Sequence, residues 1–185
     1  AKADSGFNRI YWNFSTKGNR QPGTPRPRRG SAEPGGGMRA APGTYKAVVS
    51  LGDASDSTTL HVQFDPRATF DAAVYDAQKS MMARLGKTAD RLTTVTDRLT
   101  EMEDITKKVE GQLKDVEGKP ADSLRKASKA MQDSIKTIRE FISGKRQEKQ
   151  GYGNAYQLTV LNKLREPQQL IMSKRTMPGA QEENA

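Results

Sequence analysis

With 34% hydrophobic, 29% charged and only 6% aromatic residues over 185 positions, the chain is lean for one compact globule and ordinary for elongated helical structure. The absence of cysteine excludes disulfide frameworks and thiolate metal sites, and no stretch approaches the roughly 20 apolar residues of a membrane-spanning helix. The net charge of +9 is unevenly placed: residues 1–67 hold 10 Lys/Arg against 5 Asp/Glu, whereas residues 68–150 hold 17 against 14.

In chain order, residues 7–14 alternate Ile10, Trp12 and Phe14 with Arg9, Tyr11 and Asn13, which predicts a strand. The next 28 residues, 15–42, contain six Gly and five Pro and almost nothing apolar, so they read as a mobile surface loop. Pro42-Gly43-Thr44 then launches a second strand, with Tyr45, Ala47, Val49 and Leu51 on one face. After the turn Gly52-Asp53-Ala54-Ser55 a return strand places Thr58, Leu60, Val62 and Phe64 inward, completing an antiparallel hairpin. Three strands with one apolar face are not stable alone. Either helices cover that face or further strands lie upstream of Ala1, and the second alternative is favoured because the chain opens almost directly on a strand.

Asp65-Pro66-Arg67 ends the β-region, with Asp65 placed to cap the next helix. A long helix is expected over about 69–117. Its seam is Leu85, Leu92, Leu99, Thr106 and Leu113 in one heptad row, and Thr88, Val95, Met102, Val109 and Val116 in the other. Gly118-Lys119-Pro120 stops it, and a second helix over about 121–143 repeats Leu124, Ser128, Met131, Ile135, Ile138 and Ile142. Folding one seam on the other predicts an antiparallel hairpin with layers Leu113–Leu124, Val109–Ser128, Thr106–Met131, Met102–Ile135, Leu99–Ile138 and Val95–Ile142. That register also sets Glu117 beside Arg125, Glu110 beside Gln132 and Glu103 beside Arg139.

Ile105 and Phe141 fall beside the seam and point to a third helix, expected over about 154–174 with Tyr156, Val160, Leu161 and Leu164 as its apolar repeat. Pro167 either kinks or ends it. The stretch 70–92 of the first helix lies beyond the reach of Ile142, so the third helix, missing chain or a partner protein is expected on that apolar face. Gln181-Glu182-Glu183 reads as the acidic first turn of a further helix, so the bundle looks truncated at its C-terminus. The division is thus a β-domain over 1–67, with a basic loop at 15–42, and a helical bundle over 68–185.

Three motifs occur in order: Gly6-Phe7-Asn8-Arg9-Ile10-Tyr11-Trp12-Asn13-Phe14, Pro42-Gly43-Thr44-Tyr45-Lys46-Ala47, and Val62-Gln63-Phe64-Asp65-Pro66-Arg67 before a long helix. This order resembles the C-terminal region of bacterial secreted proteins with sortilin-like (VPS10/BNR-repeat) β-propellers, often catalogued as glycosyl hydrolases. The resemblance implies an α+β fold, in which a partial Ig-like antiparallel β-sandwich (strand plus hairpin) precedes a long antiparallel α-helical hairpin or bundle. It further implies an extracytoplasmic setting, secreted or in the cell envelope, and an upstream propeller of the same parent chain as partner. It carries no catalytic residue into this segment, since any family activity belongs to the propeller.

The residues themselves supply little chemistry. His61 is the only histidine and sits on the outward face of a strand without a nucleophile pattern, so a solvent-facing residue is expected, neither base nor metal ligand. The carboxylates Asp71/Asp76 and Glu101/Glu103/Asp104 lie on a helix rich in Lys and Arg, where solvated ion pairs are expected. Gly35-Gly36-Gly37 lacks the following Lys-Ser/Thr helix of a phosphate loop. Met81, Met82, Met102 and Met131, on or near the helical seams, are expected to be core gap-fillers rather than a ligand box. The expectation is therefore a non-catalytic structural or protein-interaction module without cofactors, or alternatively the accessory region of a glycosyl hydrolase. The rival from another class is polyanion binding through Lys17, Arg20, Arg26, Arg28, Arg29 and Arg39, opposed within the loop only by Glu33. Nucleic acid is disfavoured because the loop lacks interleaved aromatics for base stacking, and an anionic glycan or lipid surface fits the envelope setting better.

Overall fold

The computed structural model describes residues 5–27, 34, 36–67, 69–145 and 157–183. The fold is α+β: a two-stranded antiparallel sheet, β1 (Gly43–Leu51) and β2 (Ala54–Val62), followed by helices α1 (Ala72–Leu113), α2 (Lys119–Ser143), α3 (Val160–Ser173) and the single turn α4 (Ala180–Glu183).

The hairpin forms, with Tyr45 opposite Leu60 and Ala47 opposite Thr58, but its turn is tighter than the expected Gly52–Ser55. Ala54 and Ser55 already pair with Leu51 and Ser50, β2 ends at Val62 before Phe64, and the expected inward residues Thr58, Leu60 and Phe64 are exposed. Only Gly52 and Asp53 separate the strands, and Gly52 takes the left-handed conformation that a tight connection requires, φ +57°. Residues 7–14 do not form the third strand. Residues 7–13 carry no regular structure, and Phe7, Ile10 and Tyr11 are exposed. Trp12 instead folds onto the base of the hairpin, with its ring centroid 5.4 Å from Tyr45 and 5.1 Å from Phe14, and Nε1 donates to the Ser15 carbonyl at 2.9 Å. Alternation alone made the strand plausible. A strand also needs a neighbour for its ladder, and the backbone pairing begins only at Phe14, where Ala40 N donates to its carbonyl.

Helix α1 spans 42 residues, about 63 Å. Its cap is Asp71, whose carboxylate accepts from Ala73 N at 2.9 Å and Val74 N at 3.2 Å. Asp65 lies six residues before that point and is bound instead to the Arg67 backbone and guanidinium. A cap works only next to the first helical residue, so the expected assignment to Asp65 is corrected.

α1 and α2 pack as an antiparallel pair, but three residues out of the expected register. The Ser128 hydroxyl donates to the Thr106 carbonyl at 3.3 Å, and Leu99, Ile135 and Ile142 form one cluster with Leu92 against it. The buried row on α2 is thus Ala121, Ser128, Ile135 and Ile142. Leu124, Met131 and Ile138, expected in the same seam, are 43–52% exposed, and Val95 and Met102 on α1 are also exposed, at 44% and 38%. Two helices share a narrow contact, which one heptad row from each can fill. The small pair Thr106 and Ser128 lets the backbones approach, leaving the second row of both helices outside. Of the expected flanking pairs, Glu103–Arg139 forms at 2.9 Å. Arg125 turns instead to Asp122 and to the carbonyls of Leu113 and Val116.

α3 begins at Val160, with Thr159 Oγ1 accepting from Asn162 N at 3.1 Å, so 157–159 lie outside the helix expected from 154; Tyr156 falls outside the described residues. Pro167 neither ends the helix nor sits at its surface: it lies mid-helix and is fully buried. Leu164 and Ile171 join Met81, Leu85 and Ala89 in a second core cluster, so α3 occupies the early part of α1. It does not reach Ile105 and Phe141, which are 59% and 71% exposed. Gln78 Nε2 ties the chain after α3 back to α1 by donating to the carbonyls of Lys174 and Thr176. Among the described residues no helix is long and apolar enough to cross a membrane.

Candidate functional site

The basic Gly/Pro-rich stretch is the first place to look for function, and its described part lies along α1. Its two ends pair with each other: Thr16 N donates to the Met38 carbonyl at 2.7 Å, Ala40 N to Phe14 at 2.8 Å and Gly18 N to Pro34 at 3.0 Å. Close packing at this neck requires glycine, since a Cβ at Gly37 would overlap the Thr16 carbonyl.

Beyond the neck, residues 19–26 run along a row of acids on α1. Asn19 Nδ2 donates to both oxygens of Asp90 at 3.0 Å, and its amide group rests over Gly86, where a Cβ would meet it at 2.6 Å. Arg20 makes a two-point pair with Asp97, Nη1 to Oδ1 at 3.1 Å and Nη2 to Oδ2, with both side chains about four-fifths buried. The Thr93 hydroxyl donates to the Arg20 carbonyl at 3.0 Å, and Gly23 N donates to Thr96 Oγ1 at 3.3 Å. Arg26 adds Nε to Asp97 at 2.9 Å and Nη2 to Glu101 at 2.8 Å. Arginine contact, led by the Arg20 hydrogen bond, holds the Asp97 carboxyl below its usual range.

Of the six cations expected to contact a polyanion, Arg20 and Arg26 are therefore engaged by α1 carboxylates. Arg28 and Arg29 lie outside the described residues. Lys17 is exposed beside the paired neck. Arg39 is exposed, and its carbonyl accepts from the Tyr75 hydroxyl at 2.9 Å. Asn19, Asp90 and Asp97 were not singled out in the sequence, and Glu101 was expected there only as a solvated ion-pair carboxylate, as its exposed bridge to Arg26 is. The signal available there was the row of acids at helical spacing, the counterpart of the basic loop.

A cavity of about 440 Å³ opens where Arg39, the start of α1 and the end of α3 meet. Phe64, Phe70 and Tyr75 form its aromatic wall, with ring centroids 5.4 and 5.8 Å apart in succession. Arg175 lies 5.9 Å from the Phe64 centroid, and Lys174 is held by Glu182 at 2.7 Å. Burial pushes the Tyr75 hydroxyl up from its ordinary value, and the Asp71 carboxylate is spent on the helix cap. The cavity thus offers apolar contact and positive charge but no assembled acid–base pair.

His61 is exposed, and its Nδ1 meets Thr44 Oγ1 at 3.1 Å across the hairpin. Among the described residues no three His, Cys, Asp or Glu side chains are grouped to hold a metal. No protein family, curated protein or solved structure matches the chain.

Proposed function

We propose that this chain is a non-catalytic structural or protein-interaction module at the C-terminal end of a larger secreted or cell-envelope protein, whose remaining part is a sortilin-like β-propeller. The observation that carries the reading is the hairpin. Among the described residues, both of its strands present an unpaired outer edge of nine residues, and Val48, Val49, Leu51 and Leu60 are 38–71% exposed. A two-stranded sheet is marginal in water, and open apolar edges are a liability that proteins normally cover. Strands supplied by a preceding Ig-like domain would pair with those edges and cover those side chains.

The helical part fits a spacer or contact element, since α1 is long, carries balanced charge and retains an exposed apolar row. The polyanion reading has weaker support, because Arg20 and Arg26 are held by carboxylates of the same chain. Amide hydrogen exchange on β1 and β2 tests the proposal. Expected is rapid exchange in the chain alone and strong protection when the preceding segment of the parent protein is attached. Equal protection in both would overturn it.

A further inference from the structure

Helix α2 carries two complete heptad seams, and α1 uses only one of them. The seam Ala121, Ser128, Ile135 and Ile142 is buried against α1. The other runs Leu124, Ala127, Met131, Ser134, Ile138 and Phe141, at alternating spacings of three and four. All six are exposed, with Phe141 at 71%, Leu124 at 52%, Met131 at 45% and Ile138 at 43%. A polar helix face has no reason to keep that spacing over 18 residues; a face that meets another helix does.

We infer that this second seam pairs α2 with α2 of a second copy of the chain, antiparallel about a two-fold axis between Gln132 and Asp133. In an antiparallel coil the two seam positions alternate across each layer, which brings Leu124 opposite Phe141, Ala127 opposite Ile138 and Met131 opposite Ser134. Each layer then recurs by symmetry, as a self-complementary interface requires. Two of the three layer types set a small side chain against a large one, the arrangement that interdigitates without voids.

Charge points the same way. The chain carries +9, so a contact between copies has to avoid setting cation against cation. The seam contains no charge, and its outer flank is Ser123, Ala130 and Thr137, all uncharged. Val95, Met102 and Ile105 lie on the same side of the α1/α2 pair by helical spacing, since the Glu103–Arg139 bridge marks the opposite side. They are 38–59% exposed and extend the surface against which a partner α2 would rest. The inference stands whether or not a propeller precedes the chain, because it concerns the helices alone.

The test is sedimentation equilibrium of the full chain between roughly 5 and 200 μM, where a self-associating chain shows a concentration-dependent mass. The mass should rise from 20.4 kDa toward twice that value, and Met131→Glu with Ile138→Glu should hold it at 20.4 kDa with the helical circular dichroism retained. Because the chain lacks cysteine, single thiols report the register. Oxidation of mixed Met131→Cys and Ser134→Cys chains should yield a linked dimer, and mixed Leu124→Cys and Ser134→Cys chains should not. A monomer throughout the range, a dimer indifferent to the two glutamates, or linking that favours the Leu124 mixture would each overturn the inference.

Discussion

Arg20 and Asp97, 77 residues apart in the chain, form a two-point ion pair that fastens a Gly/Pro-rich stretch to the middle of a long helix. Further contacts from Asn19, Gly23, Arg26 and the Arg20 carbonyl run along the same helix. This strap holds Arg20 and Arg26 against carboxylates of α1, with Arg20 largely withdrawn from solvent.

Removing one partner of the pair should therefore loosen the strap. Arg20→Ala and Asp97→Asn are each expected to cost about 1–2 kcal/mol of local stability, less than for a fully buried pair because some solvent reaches both groups. Arg26→Ala should loosen it far less, since that side chain is 65% exposed and solvent screens its pair. Limited proteolysis within residues 19–27 reads the difference.

Acid should release the strap and the C-terminal turn together. Asp97 is lowered chiefly by Arg20, and Glu182 chiefly by Lys174 with help from Gly179 N. A depressed folded-state value means the stabilisation is present above the unfolded carboxyl pKa of roughly 4 and is lost as pH falls through the folded value. Thermal melts from neutral to acid pH should fall below that range, and the fall should be shallower in Asp97→Asn.

The helix register predicts opposite outcomes for neighbouring isoleucines. Ile135→Ala removes a core residue 3% exposed and should cost about 2–5 kcal/mol. Ile138→Ala, at 43% exposure, should stay within about 0.5 kcal/mol when measured at low protein concentration. Urea melts of both variants decide between this register and the one in which Ile138 faces Leu99.

Gly37→Ala should open the neck of the strap. The added methyl would overlap the Thr16 carbonyl, so backbone has to move, at a cost of about 1–3 kcal/mol. Fluorescence of Trp12, the only tryptophan, should red-shift as its contact with Tyr45 loosens.

Polyanion retention supplies a separate check on the loop. If Arg20 and Arg26 are committed internally, changing both to Ser should leave elution from a heparin column nearly unchanged. A large shift to lower salt would restore the loop as a binding arm.

The sequence carried the hairpin and the helical pair clearly, because alternation in 45–64 and heptads in 85–142 are dense and regular. It carried the register less well. α2 has apolar residues on two adjacent rows, and any matching that mixes Leu124, Met131 and Ile138 with Ser128, Ile135 and Ile142 looks satisfied on paper. What separates the rows is how closely two backbones approach, which depends on the small pair Thr106 and Ser128. The segment 7–14 shows the complementary limit, since its alternation is strand-like while its ladder partner is absent among the described residues. The strap was hidden because low apolar content excludes a core yet leaves room for anchoring by ion pairs and backbone hydrogen bonds, which leave no period in the sequence.

The central claim is that the open-edged hairpin belongs to a larger protein whose preceding domains cover it. Mass spectrometry of the native polypeptide, captured with an antibody raised against α1, tests this most directly. The account predicts a mass well above 20.4 kDa and peptides of repeated β-propeller blades preceding Ala1. A native polypeptide of about 20.4 kDa, beginning near Ala1, would contradict it.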